Sequence, residues 1–202
     1  MAHNRVLLID NDDSFTWNLA QQILSLGATC DVHSHFELTV RDIAKLRPDR
    51  IVLSAGPGHP KDAKLANGLL RSYTSPSSLT PIPVLGVCLG HQCMAHVFGG
   101  SSCVGLAPEV RHGKTSEIFH DGRSILKGVP SPFAAARYHS LIVKKLPENF
   151  ELLCWTGLQK KPDLLMGMQH TTLPIVGVQF HPESFLTEHG ARIMKNFLQA
   201  QW

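Results

Sequence analysis

Residues 83–92, PVLGVCLGHQ, constrain this chain more than any other stretch. A short apolar strand runs into Gly86-Val87-Cys88-Leu89-Gly90 and then into the start of a helix. This is the Gly-x-nucleophile-x-Gly pattern with cysteine in the nucleophile position. A side chain thrown out at a sharp strand-to-helix turn sits on strained backbone, and flanking glycines leave room for the turn. The thiol then lies near a helix N-terminus, where unpaired N–H groups and the dipole favour thiolate.

Near the other end stands Gln179-Phe180-His181-Pro182-Glu183. It supplies a base and, two residues on, a carboxylate able to orient it. A thiol, an imidazole and a carboxylate are the parts of nucleophilic acyl transfer. Each part alone has a bland reading. Cysteine is among the most buried residue types, and a lone histidine is usually a satisfied surface or core group. The coincidence of two independent signals makes the pattern specific.

Strand–helix alternation surrounds these segments. Residues 5–10 (RVLLID) read as a buried strand. A helix follows, with Ser14 as its expected cap, Phe15, Leu19, Ile23 and Leu26 at helical spacing, and Gly27 ending it. Residues 29–34 form a second strand. Thr39-Val40-Arg41-Asp42 resembles a capping box opening a short helix that ends before Pro48. A third strand at 51–54 runs into a Gly/Pro loop, and the helix after the elbow spans 91–98. This alternation argues for an open, mostly parallel α/β sheet with right-handed crossovers and helices on both faces. The second half adds strands at 151–155, 164–170 and 175–179, an antiparallel region with a turn at Asp121-Gly122, and a closing helix at 190–199. Residues 72–83, rich in Ser, Thr and Pro, read as a surface loop.

With 202 residues, 43% hydrophobic and 17% charged, the chain suits one globular domain over 1–202. The net charge is +3 with Lys and Arg scattered, so no basic run points to nucleic acid. No apolar run approaches the ~20 residues a membrane span needs, and no charged-then-apolar leader precedes Arg5. Five cysteines, an odd number, fit free thiols in a reducing cytosol. Cys30, Cys103 and Cys154 sit in strand-like apolar segments and read as core. Cys88, His91, Cys93 and His96 form a dense cluster that raises zinc as an alternative. Structural zinc sites favour Cys pairs two to four residues apart, often on turns, whereas Cys93 and His96 fall on a predicted helix diverging from Cys88. The expectation is therefore no metal.

Six segments occur in one order: Asp10-Asn11-Asp12-Asp13-Ser14-Phe15-Thr16, Ser54-Ala55-Gly56-Pro57-Gly58, the elbow, His112-Gly113-Lys114-Thr115-Ser116, Arg137-Tyr138-His139-Ser140-Leu141 and the stretch from Gly177 to Ser184. Together they resemble the class I (triad) glutamine amidotransferases, and within that family the glutaminase subunit of anthranilate synthase and of aminodeoxychorismate synthase. The resemblance covers about residues 5–198 and implies a flavodoxin-like sheet. It also implies that Cys88 attacks the side-chain amide of L-glutamine to form a γ-glutamyl thioester and expel ammonia. His181 would take the thiol proton and return a proton to the leaving nitrogen, with Glu183 fixing the imidazole tautomer. In an α/β-hydrolase the acid normally precedes the histidine; here it follows. The oxyanion needs preorganised donors, each worth ~3 kcal/mol. The N–H of Leu89 is one candidate, and the N–H of Gly58, in the Gly56-Pro57-Gly58 loop, is the other by resemblance. On local sequence alone that loop is an ordinary turn. The resemblance assigns Gln92 and the Ser140-Leu141 backbone to the amino-acid end of glutamine. It leaves His112–Ser116 and Arg137–His139 open between a polar loop near the site, a partner interface and fold maintenance. Three positions depart from the family: Asp12 replaces an aromatic, Trp17 a Tyr, and Ala55 a Pro whose loss loosens the loop.

The resemblance further implies ammonia delivery to a separate chorismate-using synthase large subunit making anthranilate or 4-amino-4-deoxychorismate. No cofactor is implied in this chain, while the partner is implied to be magnesium-dependent. Three rivals are a glutaminase serving another acceptor, a free-standing γ-glutamyl hydrolase and a non-catalytic binding or regulatory module. A glutamine-like electrophile should add once, at Cys88. Cys88→Ala and His181→Ala should each cut glutaminase turnover by at least ~10³, because the two act as a unit. Labelling chiefly at Cys93 or Cys30 would overturn this.

Overall fold

The computed structural model describes residues 4–74 and 81–202. Residues 75–80 of the Ser/Thr/Pro-rich segment lie outside the described residues. Aliphatic runs form β1 (Arg5–Asp10), β2 (Thr29–Ser34), β3 (Arg50–Leu53) and β4 (Val84–Val87), linked by helices α1 (Thr16–Ser25), α2 (Val40–Leu46) and α3 (Lys64–Ser72). Helix α4 (Leu89–Gly99) follows the elbow. Then come β5 (Val104–His120), β6 (Phe133–Val143), β7 (Phe150–Leu158), β8 (Lys161–His170), β9 (Ile175–Val178) and α5 (Gly190–Gln199).

The nine strands of the described residues form one sheet in the order β2-β1-β3-β4-β9-β8-β7-β5-β6. The first five pair in parallel, in flavodoxin-like order once β9 is counted fifth, and the rest pair antiparallel. Side chains alternate across the parallel strands. Val6, Leu8, Val52, Leu85 and Val176 meet α1 and α5 on one face. Leu7, Ile9, Ile51, Leu53, Val84 and Ile175 meet α2, α3 and α4 on the other. The carboxyl ends of β1, β3, β4 and β9 therefore open onto one edge, where ligands bind in such sheets.

Several local expectations need correction. Ser14 is exposed and does not cap α1; Phe15 occupies the N-cap without a side-chain bond. The turn is held instead by Asp10, whose Oδ1 accepts from the Asp13 N–H at 3.1 Å and the Thr16 hydroxyl at 2.7 Å. The capping box at Thr39 and Asp42 is present, with both reciprocal bonds. Sequence reasoning missed helix α3, although Leu65, Leu69 and Leu70 recur at helical spacing and are buried, with polar Asn67 between them. Asn67 is nonetheless buried and donates to the Pro60 carbonyl at 2.7 Å. His112–Ser116 is strand, not loop: β5 is long and largely exposed, and its pairing with β6 defines it. Asp121-Gly122 leads into a 3-10 turn at Ser124–Leu126. Cys30 is only half-buried, and Cys103 lies in a 3-10 turn.

Two buried histidines sit beneath the site edge. Burial, then the neighbouring His139, holds His91 down at about 3 against a backbone hydrogen bond at Gly177. Burial, then the Arg137 charge, holds His139 at about 3, with His181 adding and the Leu141 backbone opposing. Both are therefore neutral when folded, whereas in the unfolded chain they titrate near 6.5. Below that pH the unfolded state binds protons the folded state refuses, so stability falls from about pH 6.5 toward pH 3. Between pH 6 and pH 5, His139→Gln should lose about 1 kcal/mol less unfolding free energy than wild type in urea melts. Equal losses would refute the assignment.

Candidate active site

Cys88 lies between β4 and α4 with φ 50° and ψ −97°, a left-handed conformation costly for a residue with a Cβ. The strain falls on the nucleophile itself, not on its glycines. Those glycines allow close approach instead. A Cβ on Gly86 would lie 2.6 Å from the Gly90 carbonyl carbon, and one on Gly90 would lie 2.5 Å from the Leu53 carbonyl oxygen. The elbow is pinned on both sides: the Cys88 N–H donates to Val178 at 2.9 Å, and the Cys88 carbonyl accepts from Gln92 at 3.0 Å. The side chain is nearly covered, at 6% exposure.

His181 follows β9, the neighbour of β4, and is buried. Its Nδ1 meets Glu183 Oε1 at 2.6 Å, with both side chains shielded from solvent. Burial opposes a charged imidazole, but hydrogen bonding and charge at Cys88 and Glu183 outweigh it and raise His181 well above its ordinary range. Nε2 makes no aligned hydrogen bond among the described residues. Catalytic contacts of this kind tighten when substrate is bound. The segment is tied to β6: the His181 N–H donates to Ala136 at 3.1 Å, the Thr187 hydroxyl to the His181 carbonyl at 2.6 Å, and the Ala136 N–H to Thr187 Oγ1 at 3.0 Å.

Aromatic rings close over the imidazole. Tyr138 stands edge-on at 5.0 Å and Phe15 at 6.2 Å, and the two rings meet at 5.2 Å. Asp13 completes the neighbourhood. Burial pushes its carboxyl up, with Glu183 and Asp10 adding and the Phe15 N–H and His181 opposing. Asp13, His181 and Glu183 are the one group among the described residues whose donor atoms gather as a metal ion needs, all within 4.8 Å. Within this group His181 Nδ1 and Glu183 Oε1 are hydrogen-bonded to each other. Cys88, His91, Cys93 and His96 do not gather in this way.

The remaining candidates occupy the same edge. Gly56 to Gly58 form the loop after β3, with Pro57 and Gly58 exposed and Gly58 at φ 83°, which requires glycine. Asn11 clamps the start of this loop despite Ala55: its N–H donates to Ser54 Oγ at 2.9 Å and its Nδ2 to the Ser54 carbonyl at 3.0 Å. Leu89 is the first residue of α4 and is buried. Gln92, also buried, donates through Nε2 to the Leu141 carbonyl at 2.9 Å and to Gln179 Oε1 at 3.2 Å. Ser140 is exposed on β6 and Leu141 half-buried. The structure thus joins Gln92 to Leu141 directly. Asp12, at φ 64°, takes a conformation Asp tolerates better than an aromatic, and its Oδ2 lies 3.2 Å from His35 Nε2.

The Arg137 signature acts inward. Arg137 is buried, with Nε donating to His139 Nε2 at 3.0 Å and Nη1 to Ser116 Oγ at 3.0 Å, so the two β5 and β6 signatures bond to each other. Sequence reasoning missed Asp13, Phe15, Tyr138 and Gln179 as site residues. Gln179 was within reach, since positions 179, 181 and 183 fall at the two-residue spacing that already paired His181 with Glu183.

Comparison with known proteins agrees with this geometry. Residues 7–200 match the family described as glutamine amidotransferase class-I. A protein of Azospirillum brasilense named anthranilate synthase component 2 is 47% identical over 96% of this chain and 94% of its own. One of Escherichia coli named aminodeoxychorismate synthase component 2 is 44% identical over 96% and 98%. One of Bacillus subtilis named aminodeoxychorismate/anthranilate synthase component 2 is 42% identical over 96% and 95%. A solved structure from Thermoplasma acidophilum, described as part of a putative GMP synthase, superposes with a TM-score of 0.81 at 24% identity, over 98% of this chain and 94% of that one, and shows the fold. The chain belongs to the class I glutamine amidotransferases.

Overpacking of this size costs about 1–3 kcal/mol. Gly90→Ala should therefore lower unfolding free energy by that amount in urea and slow Cys88 labelling. A variant matching wild type in both would show that the close approach is not required.

Proposed function

We propose that this chain is the glutamine-hydrolysing component of a chorismate-using synthase. The observation that carries the reading is the convergence of Cys88, on the β4 elbow, with the His181–Glu183 pair beyond β9. The thiol proton passes to His181 Nε2 and the sulfur attacks the side-chain carbonyl of L-glutamine. The N–H groups of Leu89 and Gly58 hold the oxyanion, an arrangement worth several kcal/mol when donors are preorganised. His181 returns the proton to the leaving nitrogen as ammonia departs, leaving a γ-glutamyl thioester. Water then attacks with His181 as base, the thiolate leaves, and glutamate is released. Glu183 keeps Nε2 facing the reaction. Gln92, Ser140 and Leu141 bind the amino-acid end of the substrate. Every group used is a side chain or a backbone N–H, so this half-reaction uses no cofactor; any magnesium belongs to the partner.

The names of the curated relatives support a synthase partner. They carry both product names, and because the acceptor chemistry belongs to the large subunit, the partner decides whether anthranilate or 4-amino-4-deoxychorismate is formed. Exposed apolar side chains support docking at the site edge: Phe185 is 92% exposed two residues past Glu183, Trp17 is 64% exposed on the first turn of α1, and Phe36 is 79% exposed beyond β2. No described helix is long and apolar enough to cross a membrane. The five free cysteines accord with a cytosolic setting.

The isolated chain should be a weak glutaminase, activated on addition of chorismate together with the large subunit. The Cys88→Ser complex should assemble, fail with glutamine, and still form product from ammonium salt at a pH supplying free ammonia. Full-speed hydrolysis by the isolated chain, unresponsive to any partner, would favour a free-standing hydrolase.

A further inference from the structure

Gln179 is completely buried and bridges two groups of the site. Its Nε2 lies 3.6 Å from Cys88 Sγ, hydrogen-bonding range for sulfur. Its Oε1 accepts from Gln92 Nε2 at 3.2 Å, and that same nitrogen donates to the Leu141 carbonyl at 2.9 Å. The carbonyl of Leu141 can only accept, so it fixes the Gln92 nitrogen toward β6. The Gln92 nitrogen can only donate, so it fixes the Gln179 oxygen toward itself. The Gln179 nitrogen must then face the sulfur. The chain of amides has one self-consistent orientation, and it aims a donor at the nucleophile.

A neutral thiol gains little from such a donor, because sulfur is a weak acceptor. A thiolate gains far more, since hydrogen bonds to ionised groups are the strong ones. We propose that Gln179 is a catalytic residue, donating its amide N–H to the Cys88 thiolate and holding the sulfur in its attacking position. This rests on Cys88 being the nucleophile. The donor raises the thiolate fraction before attack. It also stabilises the sulfur as leaving group when water breaks the thioester. No proton is transferred: the thiol proton goes to His181, and the amide keeps its own. Because Gln92 and Leu141 hold the far end of the relay, glutamine bound there bears on the same donor that faces sulfur. The ionisable groups around Cys88 are His181 and Glu183 from the segment after β9, Asp13 from the β1–α1 loop, and Cys93 from α4, whose thiol burial pushes up to about 12, with Cys88 adding. None of them supplies a neutral donor of this kind.

Gln179→Glu keeps the shape and the acceptor for Gln92 while replacing the donor facing sulfur. Gln179→Met removes both. With the full-length chain, Cys88 alkylation by iodoacetamide should move to higher pH in both variants. The rate at pH 7 should fall about tenfold or more in both, and in Gln179→Glu, which keeps the acceptor for Gln92, kcat for glutamine should fall by a similar factor with KM little changed. Variants that melt near wild type yet keep the wild-type pH profile would overturn the proposal. A measurement on wild type covers the case in which neither variant folds. The Gln179 side-chain amide resonance should shift with pH in step with thiolate absorbance near 240 nm, and this response should vanish in Cys88→Ser. An amide signal that does not follow the thiolate overturns the proposal. If wild type fails to alkylate at Cys88 at all, the nucleophile assignment itself falls, a result distinct from a failure of Gln179.

Discussion

The site depends on one strand pairing, β4 against β9. Its register sets Val87 opposite Val178 and Gly86 opposite Gly177, and the next link is the Cys88 N–H bonded to the Val178 carbonyl. Two residues 91 apart in sequence, Cys88 and Gln179, thereby become neighbours. Both strands are buried on both faces, so alternation of apolar and polar residues cannot define their register. The glycines do. A Cβ on Gly86 would strike the Gly90 backbone, and one on Gly177 would sit 2.8 Å from His91 Nδ1 and 2.9 Å from Met94 Sδ. Helix α4 can lie close to the sheet only where both glycines pass beneath it. A slip of one residue would lose that match and turn every side chain of β9 to the opposite face.

With the register fixed, the electrostatics follow from what each strand carries past its carboxyl end. One imidazole, His181, sits beside two acidic side chains, Glu183 and Asp13, with Asp10 next to Asp13. Asp10 is consumed in holding the β1–α1 turn, and Glu183 Oε1 in holding Nδ1. Asp13 gives Oδ2 to the Phe15 N–H at 3.0 Å and is raised chiefly by burial. Its raised carboxyl leaves Glu183 as the group bonded directly to the imidazole. On the far side, His91 and His139 are kept neutral, so no second cation competes for the carboxylates there. Arg137, the permanent cation nearby, is turned onto His139 and Ser116 instead.

The parallel half of the fold was legible in the sequence because its signals are local. β1 and β2 emerge at the expected residues, and the elbow, the Thr39 capping box and the helix at 190–199 are where periodicity and capping chemistry place them. The triad was legible for the same reason: two short motifs carry it. The antiparallel ribbon was not. β5 is rich in polar residues and glycine, with an exposed pattern over most of its length, and is extended because β6 pairs with it. Strand character that comes from a partner cannot be read from the strand alone. Tyr138 and Phe15 were missed likewise, since their edge-on contacts with His181 exist only once β6 and the β1–α1 turn converge.

β6 therefore has a larger part in the site than its own sequence suggests. Its Leu141 carbonyl anchors the Gln92–Gln179 relay on the nucleophile side. Its Tyr138 ring packs on the base, and its Ala134 and Ala136 backbones bond to the 181–188 segment carrying His181 and Glu183. It is one strand bonded to both halves of the chemistry, and β5 covers it along most of its length. The β5 side chains Leu106 and Val110 are 71% and 64% exposed, so the outer strand of the ribbon is open where the inner one is committed. The β5–β6 register shifts between Leu106 and Arg111 and again between His112 and Lys114, and such irregularities bend a strand and re-aim its side chains. The second lies opposite Tyr138 and Arg137, the residues that face the triad and the buried His139. The polar HGKTS stretch thus bends the ribbon where its inner strand meets the site, a geometric role that explains why a segment with no catalytic group belongs with the catalytic motifs.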